Sequence, residues 1–249
     1  MWLQIPETME NILWEGTLEP AAEEAVERMS REWADHGIKR NAHDAIRDLP
    51  VISVGQPETW TLMDLYPPDK MPPALRVKLD EADFYLVRFA CSFRPVRKKS
   101  QVEWARFCVR LLPDNAARQP IAYDLHPLRV TQEVKRNVKV TLSPALKFYE
   151  VEGKTGEIGF GFEYPELQPL ISAAGAGEPE PSWDYEEAKG VMVQGSKWMH
   201  LLVKATRGME IVRATLDLAA DVRVQNSRLP VLIIRDKKQA REHLTVRLV

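Results

Sequence analysis

From Asp83 onward, apolar residues recur at every second position, and a period of two is the pattern of strands rather than helices. Over residues 83–93 one parity reads Tyr85, Val87, Phe89, Cys91, Phe93, and over 101–112 it reads Ala105, Phe107, Val109, Leu111. The polar, basic stretch 94–100 between these runs predicts the tip of a hairpin. A second hairpin is expected over 145–164, turning at Gly153-Lys154-Thr155-Gly156. Its return strand alternates Ile158, Phe160, Phe162, Tyr164 with Glu157, Gly159, Gly161, Glu163. Further short strands are expected at 190–194, 198–205, 210–218, 231–235 and 243–249. Short strands at such spacing predict a mainly β fold, an antiparallel β-sandwich or distorted barrel with a small N-terminal helical segment, an α+β arrangement being the alternative.

The first eighty residues differ from the rest. They carry fifteen acidic against eight basic side chains, whereas residues 81–249 are net basic. Ala22, Ala25, Val26, Met29 and Trp33 fall three and four apart, which predicts one amphipathic helix over 20–36. Pro20 suits its first turn, Glu23 and Glu24 its dipole, and Gly37 its end. A shorter helix is expected over 41–49. Pro57, Pro67, Pro68, Pro72 and Pro73 rule out a continuous helix over 56–73. The expected organisation is an acidic helical and extended segment, 1–80, packed on a β-rich domain, 81–249. Residues 172–182 (SAAGAGEPEPS) are its flexible loop or long hairpin tip.

Two cysteines, Cys91 and Cys108, are too few for a disulfide framework or a four-cysteine zinc site. In a 91/108 hairpin they would be free thiols on opposite faces of one sheet. Residues 1–10 lack a basic-then-apolar leader, and no apolar run nears the ~20 residues of a spanning helix. These features predict a cytoplasmic, soluble protein without a constitutive membrane anchor.

Motifs of known chemistry fall short. Glu152-Gly153-Lys154-Thr155-Gly156 looks like a phosphate-binding loop, but Phe148 stands where that pattern needs glycine, and a strand pattern follows where it needs a helix. Asp124 with Glu152 and Lys154 imitates the acid plus E-x-K set of metal-dependent nucleases, in which acids hold Mg²⁺ and lysine positions water. The flanking glycines put Lys154 in a turn instead. His36, His43, His126, His200 and His243 show no metal-ligand spacing. Asp124 and His126 share a strand face, yet Gly195-Ser196-Lys197 lacks the glycine of a nucleophile elbow. No catalytic residue, metal or cofactor is called for.

Interaction features remain. Arg94, Arg97, Lys98 and Lys99 crowd one loop and suit an anionic partner, an acidic protein or nucleic acid. Trp183 and Tyr185 follow the Gly/Pro-rich stretch and are candidates for a protein-interaction edge. The leading expectation is a non-enzymatic binding or scaffolding protein, a subunit of a larger assembly. The alternatives are the nuclease or phosphodiesterase just described and a membrane-active β-hairpin protein, suggested by the 158–164 stripe and the small residues 171–177. If the basic loop binds an anionic partner, neutralising Arg97, Lys98 and Lys99 together will weaken that binding and flatten its salt dependence at unchanged thermal stability, as salt titrations of parent and variant will show.

Overall fold

Two kinds of strand emerge from the period-two segments, and the difference between them builds the fold. In a computed structural model, residues 11–249 are described except 18, 21, 40, 66–70, 72, 96–99, 114, 116–117, 131–137, 143–145, 153–161, 164–169, 188–191, 210, 225–226 and 233–243. The helices are α1 (Glu23–Asp35), α2 (Ala42–Ile46), α3 (Leu62–Leu65) and α4 (Pro73–Glu81). The strands of the first half are β1 (Ile12–Thr17), β2 (Glu19–Pro20), β3 (Val51–Gly55), β4 (Glu58–Thr61), β5 (Ala82–Arg94), β6 (Ser100–Leu112), β7 (Ile121–His126) and β8 (Arg129–Val130). Then come β9 (Val138–Leu142), β10 (Phe148–Glu152), β11 (Phe162–Glu163), β12 (Leu170–Ala174), β13 (Ser182–Glu186), β14 (Gly195–Thr206), β15 (Arg213–Val224), β16 (Ser227–Leu232) and β17 (Leu244–Arg247).

One sheet runs β1-β3-β5-β14-β7, with β4 also on β5; call it sheet A. Sheet B runs β2-β16-β15-β6-β13-β12-β8, with β17 on β15. A separate three-stranded sheet runs β10-β9-β11. All pairings are antiparallel. Sheets A and B stack as a sandwich with few helices, and among the described residues neither closes into a barrel. The alternating faces meet between them: Val87, Phe89, Cys91, Met199 and Leu201 of sheet A pack against Ala105, Phe107, Val109, Leu216 and Leu218 of sheet B. The Phe89 and Phe107 rings lie 5.9 Å apart, tilted by 50°.

That contact corrects the first hairpin. β5 pairs with β14, and β6 with β15, so the two belong to opposite sheets. Alternation sets which face is buried but not which strand is the neighbour. Cys91 and Cys108 are both free thiols, on different sheets rather than on opposite faces of one. The second hairpin is corrected in the same way. β9 sits between β10 and β11, which pair with it and not with each other, while the expected turn at 153–156 lies outside the described residues. The strand expected at 190–194 is irregular over its described part, 192–194.

The helix expected over 20–36 forms as α1, and it buries Ala25, Val26, Met29 and Trp33 as the spacing requires. Its Trp33 indole N–H donates to Ser227 Oγ at 3.0 Å, which ties the helix to β16. Residues 1–80 also supply β1, β3 and β4 to sheet A and β2 to sheet B. Residues 172–182 form the β12–β13 hairpin tip. The Val109 and Leu111 N–H groups of β6 donate to the Pro181 and Pro179 carbonyls at 2.9 and 2.8 Å, and Ala122 of β7 donates to the Glu178 carbonyl at 2.9 Å. The tip therefore fastens both sheets. Gly175 there has φ +94°, and a Cβ would lie 2.8 Å from the Glu180 carbonyl oxygen. Among the described residues no helix is long and apolar enough to cross a membrane.

Phe107→Ala removes half of the central aromatic contact and leaves a cavity, so urea unfolding is expected to show a loss of about 3–5 kcal/mol. A loss under about 1 kcal/mol would place the inter-sheet core elsewhere.

Candidate functional site

The inner face of sheet A is covered by sheet B, but its outer face is covered too. From Phe84 to Phe93 every residue of β5 is buried, whereas from Trp104 onward β6 alternates buried residues with half-buried or exposed ones. The outer cover is a second apolar cluster. Leu62 and Leu65 of α3, Leu75 of α4, and Leu142 and Leu146 pack on Phe84, Leu86 and Leu202, with Phe148 and Tyr123 at its margin. The Phe84 and Tyr123 rings meet edge to face at 5.2 Å. The small β10-β9-β11 sheet is thus docked on sheet A through Leu142, Leu146 and Phe148. A hydrogen bond adds to this docking: the Phe148 backbone N–H donates to Asp124 Oδ2 at 2.6 Å.

Beside that contact, residues that usually seek water are buried. The register places Glu58 of β4 opposite Arg88 of β5, Arg88 opposite His200 of β14, and His200 opposite His126 of β7. Four ionisable residues therefore form one row across four adjacent strands. Arg88 is 3% exposed, His200 1% and His126 4%. Arg88 bonds to the Glu58 carboxylate, and its guanidinium lies 4.6 Å from the Trp198 ring centre and 5.8 Å from that of Trp60. The two imidazoles are 6.1 Å apart, and the Phe148 ring lies 5.7 Å from His126 and 6.5 Å from His200. Burial holds the His200 imidazole well below its ordinary range, and His126 and Arg88 push it the same way. At neutral pH this ring is uncharged.

The residues singled out from sequence are scattered. Arg94 bonds Glu15 and donates to Ser53 Oγ at 2.6 Å, so it is tied to β1 and β3, and the Glu15 carboxyl is held below its usual range by Ser53 and Arg94. Arg97, Lys98 and Lys99 lie outside the described residues. Trp183 and Tyr185 are corrected from an interaction edge to the core: they are 0% and 1% exposed, because β13 pairs with β6 inside sheet B and turns both rings inward. Of the nuclease set, Asp124 is engaged with the Phe148 amide, Glu152 ends β10, and Lys154 lies outside the described residues. His43 is bonded to Glu23 at 3.1 Å and His36 to the Glu32 carbonyl at 2.7 Å. Among the described residues, no group of three His, Cys, Asp or Glu is placed to hold a metal ion. The small residues 171–177 belong to β12 and its fastened turn, which removes them from the membrane-active motif.

The buried row escaped the sequence reading. Its signal was parity: Arg88, Asp124, His126 and His200 interrupt apolar strands on the face opposite the sandwich core, and a charged residue there needs explaining only if that face is covered.

Neither a family model nor a curated protein matches the sequence. Among solved structures the chain is similar to Clostridium perfringens delta-toxin, with a TM-score of 0.40 and 7% identity, over 79% of this chain and 88% of that one. It is also similar to the Clostridium perfringens NetB toxin in its membrane-inserted form, with a TM-score of 0.32 and 9% identity over 80% and 88% of the two chains. A third structure, described as a pore forming protein, gives 0.36 and 8% over 80% and 90%. The expectations of a scaffolding assembly subunit and of a cytoplasmic placement are corrected on this finding, since the neighbours are toxins and a pore-forming protein. With TM-scores below 0.5 the likeness is loose, and the mechanism has to come from this chain's own geometry.

Asp124→Ala removes a charge-assisted hydrogen bond, a contact worth about 1.5–3 kcal/mol. Hydrogen exchange is expected to quicken selectively at Phe148–Glu152 while β5 and β14 stay protected. Unchanged exchange at the Phe148 amide would show that Asp124 does not hold β10.

Proposed function

We propose that this chain is a membrane-active protein whose segment 131–169 leaves sheet A and enters a bilayer as a β-hairpin. The observation that carries the reading is how this segment is attached. Its described strands share no backbone ladder with sheets A or B, so β9, β10 and β11 depart without unpairing either of them. Its two ends are fixed side by side, because β8 and β12 pair antiparallel with Val130 opposite Ile171. A chain that leaves and returns at neighbouring antiparallel strands is already rooted as a hairpin.

Length and pattern suit the task. A tilted spanning strand needs ~9–11 residues, and 131–169 supplies ample chain for two strands and a turn. Val138, Val140 and Leu142 alternate with Lys139 and Thr141, and Ile158, Phe160, Phe162 and Tyr164 alternate with Glu157, Gly159, Gly161 and Glu163. Apolar-out, polar-in alternation is what a barrel wall requires. A lone hairpin would leave the N–H and C=O groups of both edges unsatisfied in hydrocarbon, so insertion implies several copies closing one barrel.

The test is dye release from phosphatidylcholine–phosphatidylserine vesicles, together with single cysteines at 138 to 142 carrying an environment-sensitive fluorophore. Release is expected, with blue shifts at 138, 140 and 142 but not at 139 and 141. Intact vesicles, or shifts without alternation, would overturn the reading.

A further inference from the structure

We infer that acid unlocks the docked sheet: a proton taken up at His200, beside Phe148 and His126, releases β9–β11 from sheet A. The inference rests on the membrane-active reading and names how that same segment is controlled.

The geometry makes the histidine pair a sensor of docking. His200 sits in the middle of the Glu58–Arg88–His200–His126 row, under the ring of a residue that belongs to the docked sheet. Phe148 thus joins the cover of the imidazoles and, through its N–H, the bond to Asp124. When β10 lifts, both rings meet water and Asp124 loses its donor.

The charges around His200 give it little help in accepting a proton. From β5 it faces Arg88, a permanent cation, whose counter-ion Glu58 on β4 is already bonded to it. From β7 it faces His126 and, two register positions along, Asp124, which is engaged with Phe148. Tyr123 on β7 accepts from Lys78 Nζ of α4 at 2.6 Å, so α4 brings a cation. Lys204 on β14 and Lys147 beside Phe148 add two more positive groups, and β10 carries Glu150 and Glu152 beyond Phe148. A proton on His200 would attract Asp124, the carboxylate on the neighbouring strand β7, away from the Phe148 amide. Charging His200 and holding the sheet therefore compete.

The direction with pH follows. Docked, the buried His200 ring is held neutral well below its ordinary range. Undocked and solvated, it binds a proton near pH 6.5. Below that value the undocked state carries a proton that the docked state lacks, so docking weakens as pH falls and is strongest above it. For one such histidine the undocked-to-docked ratio rises about tenfold between pH 7.5 and pH 5.5.

The experiment measures docking without a membrane first. Spin labels at Lys147→Cys and Ser196→Cys, in a Cys108→Ser background, report the distance between the small sheet and β14 in samples frozen from pH 7.5 to 5.0. Expected is a single short distance at pH 7.5, a longer, broad population growing about tenfold relative to it by pH 5.5, and loss of that growth in His200→Gln. The parent keeping its short distance down to pH 5.0 would overturn the inference, whether or not His200→Gln folds. So would the same pH response in a folded His200→Gln variant. Dye release from phosphatidylcholine–phosphatidylserine vesicles then separates the two readings. Release at equal rates at pH 7.5 and 5.5 overturns the acid control and leaves the membrane reading standing. Undocking at pH 5.5 without release overturns the membrane reading and leaves the acid control standing.

Discussion

The central strand of sheet A, β5, is buried on both faces, and most of the architecture follows from that constraint. An antiparallel sheet usually has one face in water and shows it by clean alternation. β6 and β15 behave so, with charged residues such as Arg106, Arg110 and Arg213 on their exposed parity. β5 does not. Its second face is as buried as its first, which requires a cover made from somewhere else in the chain. α3, α4 and the small β10-β9-β11 sheet supply it.

A cover made of a separate sheet is held differently from a strand within a ladder. A strand in a ladder leaves only by breaking a row of backbone hydrogen bonds. The small sheet is attached through Leu142, Leu146, Phe148 and the Asp124 bond. Fully burying a large apolar side chain contributes about 1.5–3 kcal/mol, so the attachment is of the order of a few such side chains. That is small beside the core between the sheets, where Phe89, Phe107, Met199, Leu201 and Leu216 are all fully buried. Among the described residues the molecule thus combines a frame held by long ladders with a small sheet that shares none of them. The β12–β13 tip adds to the contrast, because its backbone is bonded to both β6 and β7 at the point where the segment is rooted.

The double burial also explains the chemistry of the outer face. Arg88 and His200 interrupt the apolar middles of β5 and β14, and each would be an ordinary surface residue on a half-exposed sheet. Covered, Arg88 requires the Glu58 carboxylate and the Trp60 and Trp198 rings around it, while His200 stays neutral. Cys91 shows the same effect on the inner face, where burial pushes its thiol up to about 12, leaving it unreactive.

By itself the sequence determined what local periodicity can determine. The period of two from Asp83 onward specified strands and the parity that faces the inter-sheet core, and the 3.6-residue stripe from Ala25 to Trp33 specified α1; that the other parity of β5 is buried as well was not in the pattern. Partner choice was beyond it. That β5 pairs with β14 and not β6, that β9 lies between β10 and β11, and that Trp183 is core are decided by contacts between residues far apart in the chain. The site depended on the same long-range choices. Arg88, His126 and His200 are distant in sequence and become one row only when three strands come into register, with Trp60 and Trp198 beside Arg88 and Phe148 of a separate sheet beside the two imidazoles. Alternation is a property of neighbouring residues and survives in any register, whereas a buried charge row is a property of one register and one cover, which only the folded chain fixes.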